Sequence, residues 1–278
     1  IPINVLEEEM VFQVVEIVYF KRWFEQVAGR DQRQRARALV ESGQLSFAVG
    51  GWVMPDEATT DLPDLLETMS QGQQWIYETF NETRVRHGFQ VDPFGASSTF
   101  ATITAKLGFS SHILNRINYY DKGWMQQNQQ LEFVWRPSPS LQASPEKLEI
   151  FTHVMDQFQY SAPGIPLAQQ LEFLCTPNNT HCPGGGFFWD GDDSQPSWYW
   201  TKKAKANGYP IYPGVNDSNV EFYADFLVAN ARQRAKWYAT PNLLWPWGTD
   251  FQFSKIKRCK ILSLFCKIQF GGTTQCNI

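Results

Sequence analysis

Nowhere in the 278 residues does an apolar run approach the ~20 residues that a membrane-spanning helix needs. Positive charge is not in excess either: 24 Lys and Arg stand against 28 Asp and Glu, for a net charge of −4. That balance lacks the basic footprint of a nucleic-acid-binding surface. The first residues, "IPINVLEEEMVF", lack the basic start and apolar core of a signal peptide and carry no initiator Met, so the chain reads as a mature form or a fragment. Histidine is scarce, with four residues: His87, His112, His153 and His181. Cysteine is scarce and odd in number. Cys175 and Cys182 bracket one loop, "CTPNNTHC", as a short disulfide or two free thiols, and Cys259, Cys266 and Cys276 crowd the C-terminus. Nothing near that loop completes a zinc site around His181.

Aromatic residues, by contrast, are abundant at 15%, including 11 Trp. Flat rings suit both large cores and sugar-binding clefts, where the C–H faces of sugars stack on them. Sequons at Asn81, Asn178 and Asn216 lean towards a secretory route. With 43% hydrophobic residues the chain can bury a substantial core.

Short apolar runs alternate with helical patterns. Strands are expected at 10–20, 45–53, 88–92, 111–117, 131–136, 148–154 and 242–248. Helices are expected near 29–42, at 62–80 from apolar spacing of three and four, at 97–108 between a Ser cap and a Gly, and at 220–239. Residues 161–219, rich in Gly, Pro, Asn and Asp, read as a long loop. Strands alternating with helices predict an α/β fold of parallel units, in which function collects beyond the carboxyl ends of the strands.

That rule directs attention to "HGFQVDPFGAS", where an apolar run delivers Asp92 into Pro93, Phe94 and Gly95. Proline ends the ladder, glycine lets the chain turn, and the carboxylate is left at a strand tip. Asp56 and Glu57 in "GGWVMPDEA", Arg116 in "SHILNRINYY", Asp156 and Tyr160 in "FTHVMDQFQY" and Asp250 in "LLWPWGTDF" hold equivalent places. Converging tips would assemble carboxylates, an arginine and aromatics, which suits glycoside hydrolysis or a divalent-metal hydrolase. Such carboxylates also serve as helix caps or salt-bridge partners.

At these residues the sequence resembles glycoside hydrolase family 38, the class II α-mannosidases, and within it the epididymis-specific, core-specific lysosomal branch. The motifs are "VEIVYFKRWF", "GGWVMPDEA", "FQVDPFGAS", "RINYY", "LEFVWR", "IFTHVMDQFQY", "VANARQRAKWYATPNLLWPWG" and "TDFQF", in order over residues 8 to 253. The resemblance implies an incomplete (β/α)7-type barrel over 1–253, lacking its first strand and C-terminal part. It also implies retaining hydrolysis of terminal α-D-mannosyl residues of N-glycans in a lysosomal or secreted protein. Asp92 would be nucleophile and zinc ligand, and Asp250 the acid/base. Phe94, Arg116 and Tyr160 would line the sugar pocket. Asp56 and Glu57 would act as supporting residues.

The pattern breaks at both ends. The family's zinc (Zn2+) calls for a His-X-Asp pair and a His-His-Asp motif, and no histidine here fits either. Of four expected ligands only Asp92 remains, too few to hold zinc tightly. Residues 254–278 carry five Lys or Arg, no acid and three Cys, and are expected to form a disordered tail foreign to the family, from a retained intron or altered exon. The isolated chain is therefore expected to be inactive. The alternative is a non-catalytic carbohydrate-binding or vestigial module. An unrelated metal hydrolase would need histidines that are not in place.

Overall fold

The computed structural model describes residues 12–81, 85–138, 140, 148–160, 218, 220–240 and 242–246. They fall into two compact units, residues 11–156 and residues 157 onward with the first ten.

The first unit opens with β1 (Phe12–Val14) and α1 (Ile17–Arg22), which runs on as a π-helical turn over Trp23–Val27. The single strand expected over 10–20 is thus corrected. Ile17, Phe20 and Phe24 recur at helical spacing, and both Ile17 and Phe24 are buried. α2 (Arg30–Glu41) follows, then β2 (Leu45–Phe47), shorter than the 45–53 expected because the chain turns at Val49 and Gly50, both at positive φ. α3 (Leu62–Phe80) buries Leu65, Met69, Gly72, Trp75 and Ile76 along one face. Its aromatic end packs into a cluster of Phe20, Phe24, Phe47, Trp75 and Phe80, with ring centroids such as Phe24–Phe80 at 5.5 Å and Phe47–Phe80 at 5.4 Å.

β3 (His87–Gln90) leads through the Asp92 turn to α4 (Ser98–Lys106), whose Ser97 cap accepts a hydrogen bond from Thr99 N–H at 3.1 Å. β4 (Ser111–Leu114) and α5 (Tyr119–Gln127) come next, then β5 (Glu132–Trp135) and β6 (Ile150–Val154). α5 is not among the expected helices; it starts on the Asn118 cap rather than on apolar spacing. β1 and β2 pair in parallel. β3, β4 and β6 form a parallel set with β5 antiparallel at its end, in the order β3-β4-β6-β5. The expectation of parallel units therefore fails for β5, which runs antiparallel to β6 although the α5 connection before it is long enough for a crossover. Val49 N–H donates to His87 O at 2.7 Å and ties the chain beyond β2 to the first residue of β3. Among the described residues the strands form two sheets and no closed barrel. The core between α3, α4 and the sheet gathers Val49, Leu65, Met69, Phe100, Ile103, Phe109 and Ile150.

In the second unit α6 (Val220–Ala235) is the expected helix, ending at Ala235 rather than 239. Its Arg234 is buried, donates to Gln159 O at 3.3 Å, and lies over the rings of Trp245 (4.4 Å) and Phe158 (5.2 Å). Residues 242–246 form no strand, against expectation; the rest of that segment, like the loop 161–219 apart from Ser218 and the tail 254–278, lies outside the described residues. Among the described residues no helix is long and apolar enough to cross a membrane.

Candidate active site

Three strand ends of the first unit meet at one rim: β3 delivers Val91 and Asp92, β4 delivers Asn115 and Arg116, and β6 delivers Asp156. Parallel pairing makes this unavoidable, because Gln90 is level with Leu114 and Leu114 with Val154, so the next residues of each strand emerge side by side. Pro93 cannot extend the ladder, and Gly95, at φ +120, accepts the turn that returns the chain to α4.

Asp92 is exposed and held by Arg116, whose Nη2 and Nε both donate to the same carboxylate oxygen, Oδ1, at 2.6 and 3.1 Å. Two donors from one planar guanidinium on one oxygen restrict the rotation of the carboxylate. The guanidinium carbon lies 5.3 Å from the centre of the Phe94 ring, which is 79% exposed. The three form a compact set: a carboxylate, a cation and a flat apolar surface turned to solvent. That combination can hold a polyhydroxylated ring by its C–H face and present an oxygen nucleophile to it.

The remaining predicted residues divide. Asp56 serves its own turn, accepting from the Thr59 hydroxyl at 2.5 Å and from Ala58 N–H at 2.8 Å, which lower its pKa. Glu57 reaches across to the Asp92 turn, accepting from Ser97 N–H and from Gln90 Nε2 at 2.8 Å; burial nevertheless raises its pKa. The supporting role expected of this pair fits what they touch. Asp156, read from the sequence as one of the strand-tip carboxylates, lies at the rim but is buried at 2% exposure. Tyr160 is half-buried in the second unit, and Asp250 lies outside the described residues.

Sequence reasoning missed Asn115 and Lys122. Lys122, on α5, is 6% exposed and donates to Asn115 Oδ1 at 3.0 Å; Asn115 Nδ2 in turn donates to Val91 O at 3.1 Å. Burial pushes the Lys122 pKa down to about 8, with the Arg116 charge adding to the fall and Asp156 opposing it. The available signal was the Asn118 cap, which accepts from Tyr120 and Asp121 N–H and starts a helix that hydrophobic spacing does not announce.

The described residues do not fit zinc. Among them no three His, Cys, Asp or Glu side chains come together as a metal ion needs. His112 and His153 are buried in the sheet, and His87 shares a hydrogen bond with Ser111 Oγ at 2.8 Å. Incubated with zinc and desalted, this chain is expected to carry well under one ion per molecule by atomic emission. A stoichiometric ion would mean that residues beyond the described ones supply the missing donors.

Comparison with known proteins adds ancestry to this geometry. The profile of the glycosyl hydrolases family 38 N-terminal domain matches residues 4–273. The match takes in residues 254–273, which the sequence reading set outside the family. The epididymis-specific alpha-mannosidase of Homo sapiens is 41% identical over 249 residues, covering 87% of this chain and 22% of that protein. The lysosomal alpha-mannosidase of Dictyostelium discoideum is 34% identical over 88% of this chain and 20% of its own length. Alpha-mannosidase 2 of Drosophila melanogaster is 32% identical over 89% and 20%. The chain spans about a fifth of the length of these relatives.

Proposed function

The chain belongs to glycosyl hydrolase family 38, and we propose that the protein containing it hydrolyses terminal α-D-mannosyl residues of N-glycans with retention of configuration. The observation that supports this most is the Asp92–Arg116 pair at 2.6 Å beside an exposed Phe94. In this reading Asp92 attacks the anomeric carbon as the glycosidic C–O bond breaks, and a second carboxyl protonates the departing oxygen. Water then attacks the mannosyl-enzyme ester, giving its proton to that same carboxylate and releasing Asp92. Asp250 is our candidate for the second carboxyl, and Tyr160 for a further wall of the sugar pocket. Arg116 holds the nucleophile in place through its two hydrogen bonds, and Phe94 supplies the stacking face. No step here runs through zinc; the metal, if the complete protein holds one, would take Asp92 as one ligand.

The same reading places the two sheets as neighbouring sectors of an incomplete (β/α)7-type barrel, joined at Val49–His87, in a lysosomal or secreted protein. A second reading, for these 278 residues alone, is a glycan-binding module without turnover, for which the exposed Phe94 ring beside Arg116 would serve as the stacking face.

The test is hydrolysis of an aryl α-mannoside by the protein at full length. Asp92→Asn should lower kcat/KM by at least about 10³-fold, as loss of a covalent nucleophile does, while near-native unfolding shows the fold intact. Unchanged turnover by Asp92→Asn would end the nucleophile assignment.

A further inference from the structure

The inverted burial of α5 points beyond the residues that touch substrate. Its inward residues are polar, Lys122 and Gln126, each 6% exposed, whereas Tyr119, Tyr120 and Trp124 are at least half exposed. A buried ammonium is expensive to keep, since neutral apolar side chains of similar volume pack at lower cost. Burial accordingly pushes the Lys122 pKa down to about 8. A residue retained on such terms asks what its charge accomplishes.

Donor and acceptor chemistry supplies an answer. An ammonium has hydrogens to give and no lone pair to receive. With Lys122 Nζ at 3.0 Å, the Asn115 amide must present its oxygen to the lysine, and its NH2 is thereby turned towards Val91 O at 3.1 Å. Reversing the amide would set N–H against ammonium and oxygen against carbonyl. Asn115 is 1% exposed, so water cannot arbitrate. The locked amide clamps the backbone just beyond β3, one residue before Asp92, using the residue just beyond β4 that immediately precedes Arg116. Both members of the pair are thus referenced to one fixed amide. Asp156 and Arg116 are the charges facing Lys122, the first attracting and the second repelling it.

We propose that Lys122 is a positioning residue for the nucleophile: through Asn115 it sets the relation between the β3 and β4 tips at which Arg116 grips Asp92. The proposal rests on the reading of Asp92 as nucleophile, and its effect runs through geometry rather than contact with sugar. It should therefore appear in the rate of the bound complex more than in binding, because small misplacements of a reacting group cost rate steeply.

The experiment compares wild type, Lys122→Met, Asn115→Leu, the double variant and Asp92→Asn at full length, by aryl α-mannoside kinetics and by crystal structures. Lys122→Met should lower kcat about 10- to 100-fold with KM within about twofold. Asn115→Leu, deleting the relay from its other end, should do the same, and the double variant should be no worse than the poorer single one. In the crystals the Arg116–Asp92 contact should open beyond hydrogen-bond reach. Additive losses, a fall expressed in KM alone, or an unmoved Arg116–Asp92 contact would each overturn the relay. If Asp92→Asn turns over normally, the nucleophile reading fails instead, and the crystallographic contact still decides the relay.

Discussion

Gly72→Ala should cost at least about 3 kcal/mol and leave little folded protein, whereas Gly123→Ala should gain about 0.5–1 kcal/mol. Both glycines sit inside helices, so the propensity gain on adding a methyl group is the same. Their surroundings decide the sign. A Cβ on Gly72 would lie 2.1 Å from Gly50 O, 2.5 Å from Gly51 C and 2.7 Å from Trp52 N. All three are main-chain atoms, and Gly51 and Trp52 accept hydrogen bonds from Ile17 and Val18 N–H, so the segment cannot retreat without loosening α1. Nothing lies within 4 Å of a Cβ on Gly123. Urea unfolding of both variants measures the contrast. A Gly72→Ala midpoint equal to wild type would mean that α3 does not press on the 50–52 segment as described.

The second large effect concerns acid. His112 is fully buried, with neither ring nitrogen hydrogen-bonded, between the Phe100 ring and the stacked Trp135 ring at 6.4 Å and against Gly88. Burial alone lowers its pKa from 6.5 to about 4. Between those values the unfolded chain binds a proton that the folded chain refuses, so stability rises with pH across the interval. The contribution is complete above about pH 6.5 and is lost as pH falls towards 4. Its size is about 3 kcal/mol, at about 1.4 kcal/mol per unit. His153 and His87 are also lowered, chiefly by burial, and steepen the same limb; for His153 the Glu132 carboxylate at 3.0 Å opposes the shift. His112→Leu should therefore flatten the loss between pH 7 and pH 4.5 without abolishing it. If wild type and variant lose stability in parallel, the ring is not held neutral in the fold.

These residues also show what could be read beforehand. α3 and α4 were legible because their apolar spacing, Pro63 near the first turn and the Ser97 cap all agree. β1 and β2 were drawn too long because apolar runs continue past them into a helix and a turn, where the same residues are buried for other reasons. β5's direction depends on its pairing with β6, which no local pattern encodes. In the candidate site, Asp92 and Arg116 were found because each ends an apolar run, and parallel register then brings them together. Lys122 and Asn115 were not, since their connection exists only once α5 folds back on the rim.

The inside-out character of α5 has a practical side. Anyone choosing solubilising substitutions by side-chain polarity would keep Lys122 and Gln126 as safe exterior positions and treat Tyr120 and Trp124 as interior. Every choice made that way would be reversed: the lysine is the one to leave untouched, and the rings are where a tag, dye or crosslinker can be attached.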